Sequence, residues 1–334
     1  MTDHSVLPPR RLGRADIHVG AIGLGCWAIG GPFWRQNAAG ERGPMGWGVV
    51  DDTESIRAVH RALDLGVTLF DTANNYGAGH SERILGRALR GRSEDVVVAT
   101  KFASAFDEQT QTHFDDRTDD LTPSGIRRAC DDSLRRLDRE TIDLYLFHDG
   151  TYDVDRAADV RDALEDLVAD GLIRWYGWST DDPERARLFA QGAHCVAIEH
   201  RLNLMAPGDE MLRLCDELDL ASIVRSPLNG GILTGKFTAT STFPEDDERH
   251  GLDFSQGHFA NRLRQVDLLR GAMTGDGRSM SQGALGWILS VSERTIPIPG
   301  FKTRSQVEEL VAAAAMPPLT EDQLEHVARF QATL

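Results

Sequence analysis

The sequence predicts an α/β chain folded as a (β/α)8 TIM barrel, with an N-terminal β-hairpin and long loops at the carboxyl face of its strands. Three observations carry that expectation. Short, nearly continuous apolar runs recur eight times, amphipathic stretches separate them, and no Pro/Ser-rich linker divides the chain between Val19 and Pro299. Apolar strands joined through helices form a parallel sheet covered on its outer face, and eight such units close on themselves. An open doubly wound sheet is the competitor. Its fingerprint fails here, because Gly23-Leu24-Gly25-Cys26-Trp27-Ala28 lacks the third glycine. Residues 1–334 therefore read as one domain.

Leu12 to Val19 reads as the hairpin. The strands follow as AIGLG (21–25), VTLF (67–70), VVVAT (96–100), DLYLF (143–147), IRWYGW (173–178), CVAI (195–198), ASIVR (221–225) and TIPIP (295–299). The first helix is expected over 53–65, where Ile56, Val59, His60 and Leu63 recur at helical spacing, with Asp52 as N-cap and Gly66 as stop. Further helices are expected over 81–89, 124–137, 157–169, 183–189, 209–218, 281–289 and 305–314. Thr122-Pro123 and Asp182-Pro183 read as caps followed by proline in the first turn. Two long loops, 30–51 and 229–258, leave the carboxyl ends of strands one and seven. That is the face where barrel active sites sit, so they read as binding lids or disordered segments.

Composition narrows the function. Lys plus Arg number 36 against 52 Asp plus Glu, a net charge of −16 that repels nucleic-acid phosphates and anionic lipid, so neither partner is expected. Cys26, Cys130, Cys195 and Cys215 are scattered without a CxxC pair, which predicts no metal site and no disulfide framework and fits a reducing cytoplasm. The first ten residues lack the pattern of a signal peptide, and no segment reaches the roughly 18 apolar residues of a membrane span. Nothing in the pattern specifies an oligomeric state.

The residues at the ends of the early strands carry the chemistry. Asp71 follows VTLF, Tyr76 lies five positions on, Lys101 follows VVVAT and His148 follows DLYLF. A barrel brings these strand ends together around its mouth. Singly, each has a bland reading: a turn cap, a loop packer, a snorkelling lysine, a structural histidine. As a set they suit proton delivery, because an ammonium beside a phenol stabilises the phenolate, Asp71 aims the ammonium, and His148 can donate to a carbonyl oxygen. The reaction that needs such a donor without a nucleophile or metal is carbonyl reduction by hydride.

The run Phe70-Asp71-Thr72-Ala73-Asn74-Asn75-Tyr76-Gly77 with Ser81-Glu82, then Lys101, then Asp143 to His148, resembles the aldo-keto reductase family. Gly177-Trp178-Ser179, Ser226-Pro227-Leu228 with Leu233-Thr234-Gly235-Lys236, and Ile298-Pro299-Gly300 continue the match in order. Its bacterial-type and potassium-channel-β-like branches are the most similar. The resemblance implies a small-molecule aldehyde or ketone substrate and NADP(H), less often NAD(H), lying across the mouth. It implies Tyr76 as general acid tuned by Lys101 and Asp71, with His148 positioning the carbonyl.

For the cofactor it implies Trp27, Asp71, Ser179, Thr180, Glu199 and Arg225 around the nicotinamide. Ser226, Pro227, Leu228, Gly231 and Lys236 would wrap the pyrophosphate, and Gly300, Lys302, Thr303, Gln306 and Glu309 would hold the adenosine and its 2′-phosphate. Trp27, Trp34, Tyr76 and His148 would meet the substrate, with Phe33 and Trp47 adding to an apolar mouth. Four positions depart from the family pattern: Thr180 where Asn is common, Glu199 for Gln, Arg225 for an aromatic ring, and Leu310 for Asn. The alternatives are a nicotinamide-binding sensor on the same fold and a Schiff-base enzyme using Lys101.

Overall fold

The computed structural model describes residues 8–92, 95–118 and 120–334. Eight parallel strands surround one axis: Leu24–Gly25, Leu69–Asp71, Val97–Phe102, Ile142–Phe147, Ile173–Ser179, Cys195–Arg201, Ala221–Arg225 and Thr295–Pro297. The first and eighth meet through Gly23 N–H to Pro297 O and Gly25 N–H to Pro299 O, both 3.0 Å, and a Gly25–Gly300 bridge. These contacts close the cylinder. The hairpin pairs Pro9–Arg11 with His18–Gly20, and its Leu12, Ala15 and Val19 plug the amino-terminal mouth against Leu69, Val97, Leu144 and Ile296.

Helices cover the outside: Asp52–Asp64, His80–Leu89, Pro123–Leu137, Val154–Ala169, Pro183–Phe189, Asp209–Glu217, Met280–Val291 and Arg304–Val311. The first is capped by Asp51 rather than Asp52, since the Asp51 carboxylate accepts from Thr53 N–H at 2.8 Å. Thr122 and Asp182 cap as expected, each before its proline.

Two further helices, Gly257–Met273 and Glu321–Gln331, escape the periodicity argument. Apolar residues of the first are spread around its circumference, with Val266 and Leu269 buried and Leu268 exposed. It is held by tertiary contacts instead, including Gln323 Nε2 donating to Ala272 O at 2.7 Å. Neither long loop is an irregular lid throughout. Phe33–Gln36 and Arg42–Met45 form a hairpin that joins Ser104–Asp107 and Thr112–Thr118 in a second, four-stranded sheet. Its two halves come from separate insertions, so local alternation does not announce it.

A buried ion pair ties the second and third helices together. Glu82 accepts from Arg136 Nε and from Thr100 Oγ1, both at 2.6 Å. Glu82→Ala would leave the buried Arg136 guanidinium with only the more exposed Glu108, 3.2 Å away, and Ser133, and is expected to cost about 1–3 kcal/mol, read as a lower urea midpoint at unchanged m-value.

His200, buried on the sixth strand, lies 2.7 Å from Ser222 Oγ, and burial lowers its pKa from 6.5 to about 4. Between those values the unfolded chain binds a proton that the folded chain does not. Stability contributed by the neutral ring is therefore present above pH 6.5 and lost as pH falls toward 4, by about 3 kcal/mol. His200→Asn should flatten that part of the pH–stability curve.

Candidate active site

Strand parity builds the site. Side chains alternate between the two faces of a strand. On the inward face Leu69 leads to Asp71, Val97 and Ala99 to Lys101, Leu144 and Leu146 to His148, and Ala197 to Glu199. Register pairs Ser179 with Glu199, and the contacts of Lys101 with Asp71 and Glu199 gather these polar groups above the apolar filling. Lys101 lies within its strand, which runs to Phe102, rather than beyond it.

Tyr76 arrives on the loop after the second strand. Gly77 there has φ +60°, and a Cβ on it would stand 2.0 Å from Gly30 O, so only glycine lets this loop press against the 28–30 turn.

The Lys101 ammonium is fully buried at the centre. It donates to Asp71 Oδ1 at 2.5 Å, Thr72 O at 2.9 Å and Tyr76 Oη at 3.2 Å, and Glu199 Oε2 lies 3.2 Å away. Ser179 Oγ donates to the other Glu199 oxygen at 3.1 Å. Burial works to discharge the ammonium, but the two carboxylates outweigh it and hold its pKa above the usual lysine value. Asp71 is pushed well above the carboxylate range by burial and by Glu199, against the pull of Lys101. Burial also raises Tyr76, Lys101 pulls it down, and the carboxylates raise it further. The phenol is thus less acidic than free tyrosine, which corrects the expectation from the ammonium alone: Lys101 trims a shift that the surroundings make larger.

His148 is held neutral, its pKa well below the ordinary value through burial and then the Lys101 and Arg225 charges. Its buried Nδ1 has no protein partner among the described residues. The Trp27 and Tyr76 rings meet edge-on at 4.8 Å, and Tyr76 and His148 at 6.1 Å.

These groups face a cavity of about 1010 Å³ that continues past Ser179, Thr180 and Arg225 to the loops after strands seven and eight. The first of those loops turns sharply, with positive φ at Ser226, Asn229, Gly230 and Gly231, and Asn203 Nδ2 donates to Ser226 O at 3.0 Å. A side chain at Gly230 would meet nothing within 4 Å, so the backbone there borders open space. Lys236, 3.2 Å from Glu309, lines this end together with Arg249 and Lys302. Cations beside an open glycine turn fit a pyrophosphate-bearing dinucleotide.

The two long loops clasp each other over the same end. Trp47 pairs with Asp247, its indole N–H donates to Glu248 at 2.7 Å, and the Arg249 guanidinium lies 4.7 Å from its ring centroid. Lys302 Nζ donates to Trp47 O.

The cavity is lined by Trp27, Asp71, Tyr76, His148, Ser179, Thr180, Glu199, Arg225, Ser226, Pro227, Leu228, Gly231, Lys236, Gly300, Lys302, Gln306 and Glu309. Lys101 sits behind Asp71 and Tyr76. Trp34 is not on the lining: it stands half-buried on the second sheet with Arg42 over its ring. Thr303 is also off the lining and caps the helix Arg304–Val311. Arg225 is tied to Asp181 at 2.5 Å, which fixes its guanidinium at the rim. The sequence reasoning missed Phe237, Glu248, Arg249 and Ser281. Parity on the sixth strand points to Glu199, but nothing local marks Arg249, which follows the acidic run 245–248 and reaches the cavity only because its loop docks on Trp47.

A phenol whose oxygen accepts from a buried ammonium keeps its own hydrogen for a substrate oxygen, which is what a hydride transfer between carbonyl and alcohol requires. The protein is an oxidoreductase of that class. Over residues 21–332 the chain matches the model of the Aldo/keto reductase family, and it belongs to that family.

Among its relatives, the aldo-keto reductase YhdN of Bacillus subtilis is 32% identical over 315 residues, covering 92% of this chain and 88% of that protein. The glycerol dehydrogenase AKR11B4 from Gluconobacter oxydans superimposes with a TM-score of 0.80 at 32% identity, over 97% of this chain and 95% of that one. An aldo/keto reductase from Klebsiella pneumoniae in complex with NADP and acetate gives 0.69 at 26% identity, over 98% and 96%.

Proposed function

We propose that this protein is an NADP(H)-dependent carbonyl reductase in which Tyr76 is the proton donor. The observation that carries the reading is the 3.2 Å contact between Lys101 Nζ and Tyr76 Oη, at the end of a cavity that leads to a cationic glycine turn. Bound NADPH supplies hydride to the carbonyl carbon. His148 holds the carbonyl oxygen, Tyr76 gives it a proton, and Lys101, aimed by Asp71, steadies the phenolate left behind.

Ser179, Thr180, Glu199 and Arg225 would hold the nicotinamide, the loop from Ser226 to Lys236 would take the pyrophosphate, and Gly300, Lys302, Gln306 and Glu309 would hold the adenosine end. Lys302 supports NADP over NAD, and the Klebsiella relative was solved with NADP. Trp27 and Trp47 on the lining favour an aldehyde or ketone with a hydrophobic or ring-shaped body. The four cysteines are free and scattered, which supports a reducing cytoplasm as the working compartment.

The test is a titration of the protein with NADPH and with NADH, followed by NADPH oxidation across a panel of aldehydes and ketones. Carbonyl-dependent oxidation supports the reading. Tight cofactor binding with no turnover across the panel favours a sensor, and borohydride trapping of a substrate on Lys101 favours the Schiff-base alternative.

A further inference from the structure

Resting on that reading, we propose that Glu199 makes bound NADPH a stronger hydride donor by stabilising the positive charge that the nicotinamide ring gains as it gives up hydride. The layer at the cavity floor holds two carboxylates, Asp71 and Glu199, on one ammonium. Both carboxyl groups reach the one Lys101 ammonium, and burial and Glu199 push Asp71 toward its protonated form, which leaves Glu199 as the carboxylate of the pair. Tyr76 Oη and Glu199 Oε2 each lie 3.2 Å from the same Nζ, so the carboxylate and the phenol oxygen are two such contacts apart at most.

Ser179 and Glu199 line the same cavity as Tyr76, so a nicotinamide giving hydride to a carbonyl held by Tyr76 would lie along the wall that carries Glu199. The reduced ring is neutral and the oxidised ring carries one positive charge. A fixed buried carboxylate favours the second over the first. As hydride passes to the carbonyl carbon, Tyr76 protonates the oxygen. The phenolate left on Tyr76 would then be met by the Lys101 ammonium, and the charge left on the nicotinamide would be met by Glu199.

The experiment measures dissociation constants of NADP+ and NADPH by fluorescence titration for the wild type and the isosteric Glu199→Gln. The ratio of the NADPH constant to the NADP+ constant should fall by about 10-fold in the variant. Single-turnover hydride transfer should slow with it. Glu199→Ala, which also loses the bond from Ser179, should move the ratio the same way, and thermal unfolding checks that each variant is folded. A ratio unchanged in a folded variant that binds both forms overturns the assignment. Failure of the wild type to bind either nucleotide overturns the cofactor reading instead.

Discussion

Tyr76→Phe is expected to lower kcat for carbonyl reduction by about 10²–10⁴-fold, the usual range for a lost general acid. The phenylalanine ring keeps the edge contact with Trp27 and the loop geometry set by Gly77, so packing changes little. What disappears is the one hydroxyl that Lys101 addresses. An interaction needed only as the carbonyl oxygen gains charge lowers kcat and kcat/KM together. Cofactor affinity should hold within about twofold, because the hydroxyl carries no share of uniform binding. Steady-state kinetics beside a cofactor titration read both quantities. A loss smaller than about fivefold would assign proton delivery to another group.

Lys101→Met is expected to abolish measurable turnover and to destabilise the fold by about 3–5 kcal/mol. Removing the ammonium leaves Asp71 and Glu199, both buried, facing each other with no cation, and Asp71 already stands well above the carboxylate range through burial and Glu199. Without Lys101 that rise can only grow. The folded variant then holds a proton that the unfolded chain releases, so its stability is greatest in acid and is lost as pH rises through the carboxylate range. Urea midpoints of variant and wild type, compared at acidic and neutral pH, should converge in acid and separate at neutral pH. A constant gap across that range would locate the cost in packing rather than charge.

Much of the site is legible in the residues themselves. Asp71, Tyr76, Lys101 and His148 fall at or near the ends of early strands, and closure of eight parallel strands leaves them no place but one mouth. Strand parity adds Ser179 and Glu199 to the same layer. Caps at Thr122 and Asp182 are equally local, since a side chain that satisfies amides two or three residues on needs no distant partner.

The balance of charges is not local. Tyr76 becomes less acidic because burial and two carboxylates from separate strands outweigh one lysine, a sum that exists only when the strands are side by side.

The chain pattern by itself determined the barrel, the placing of Asp71, Tyr76, Lys101 and His148 at strand ends and the end of the cylinder where they gather, because alternation, helical spacing and capping act over a few residues. Only the tertiary structure decided that Trp47 and Arg249 clasp across the cavity, that Trp34 turns away from it, and that Lys101 serves two carboxylates. Those outcomes depend on groups far apart in sequence, whose interaction energies arise only once water has been excluded between them.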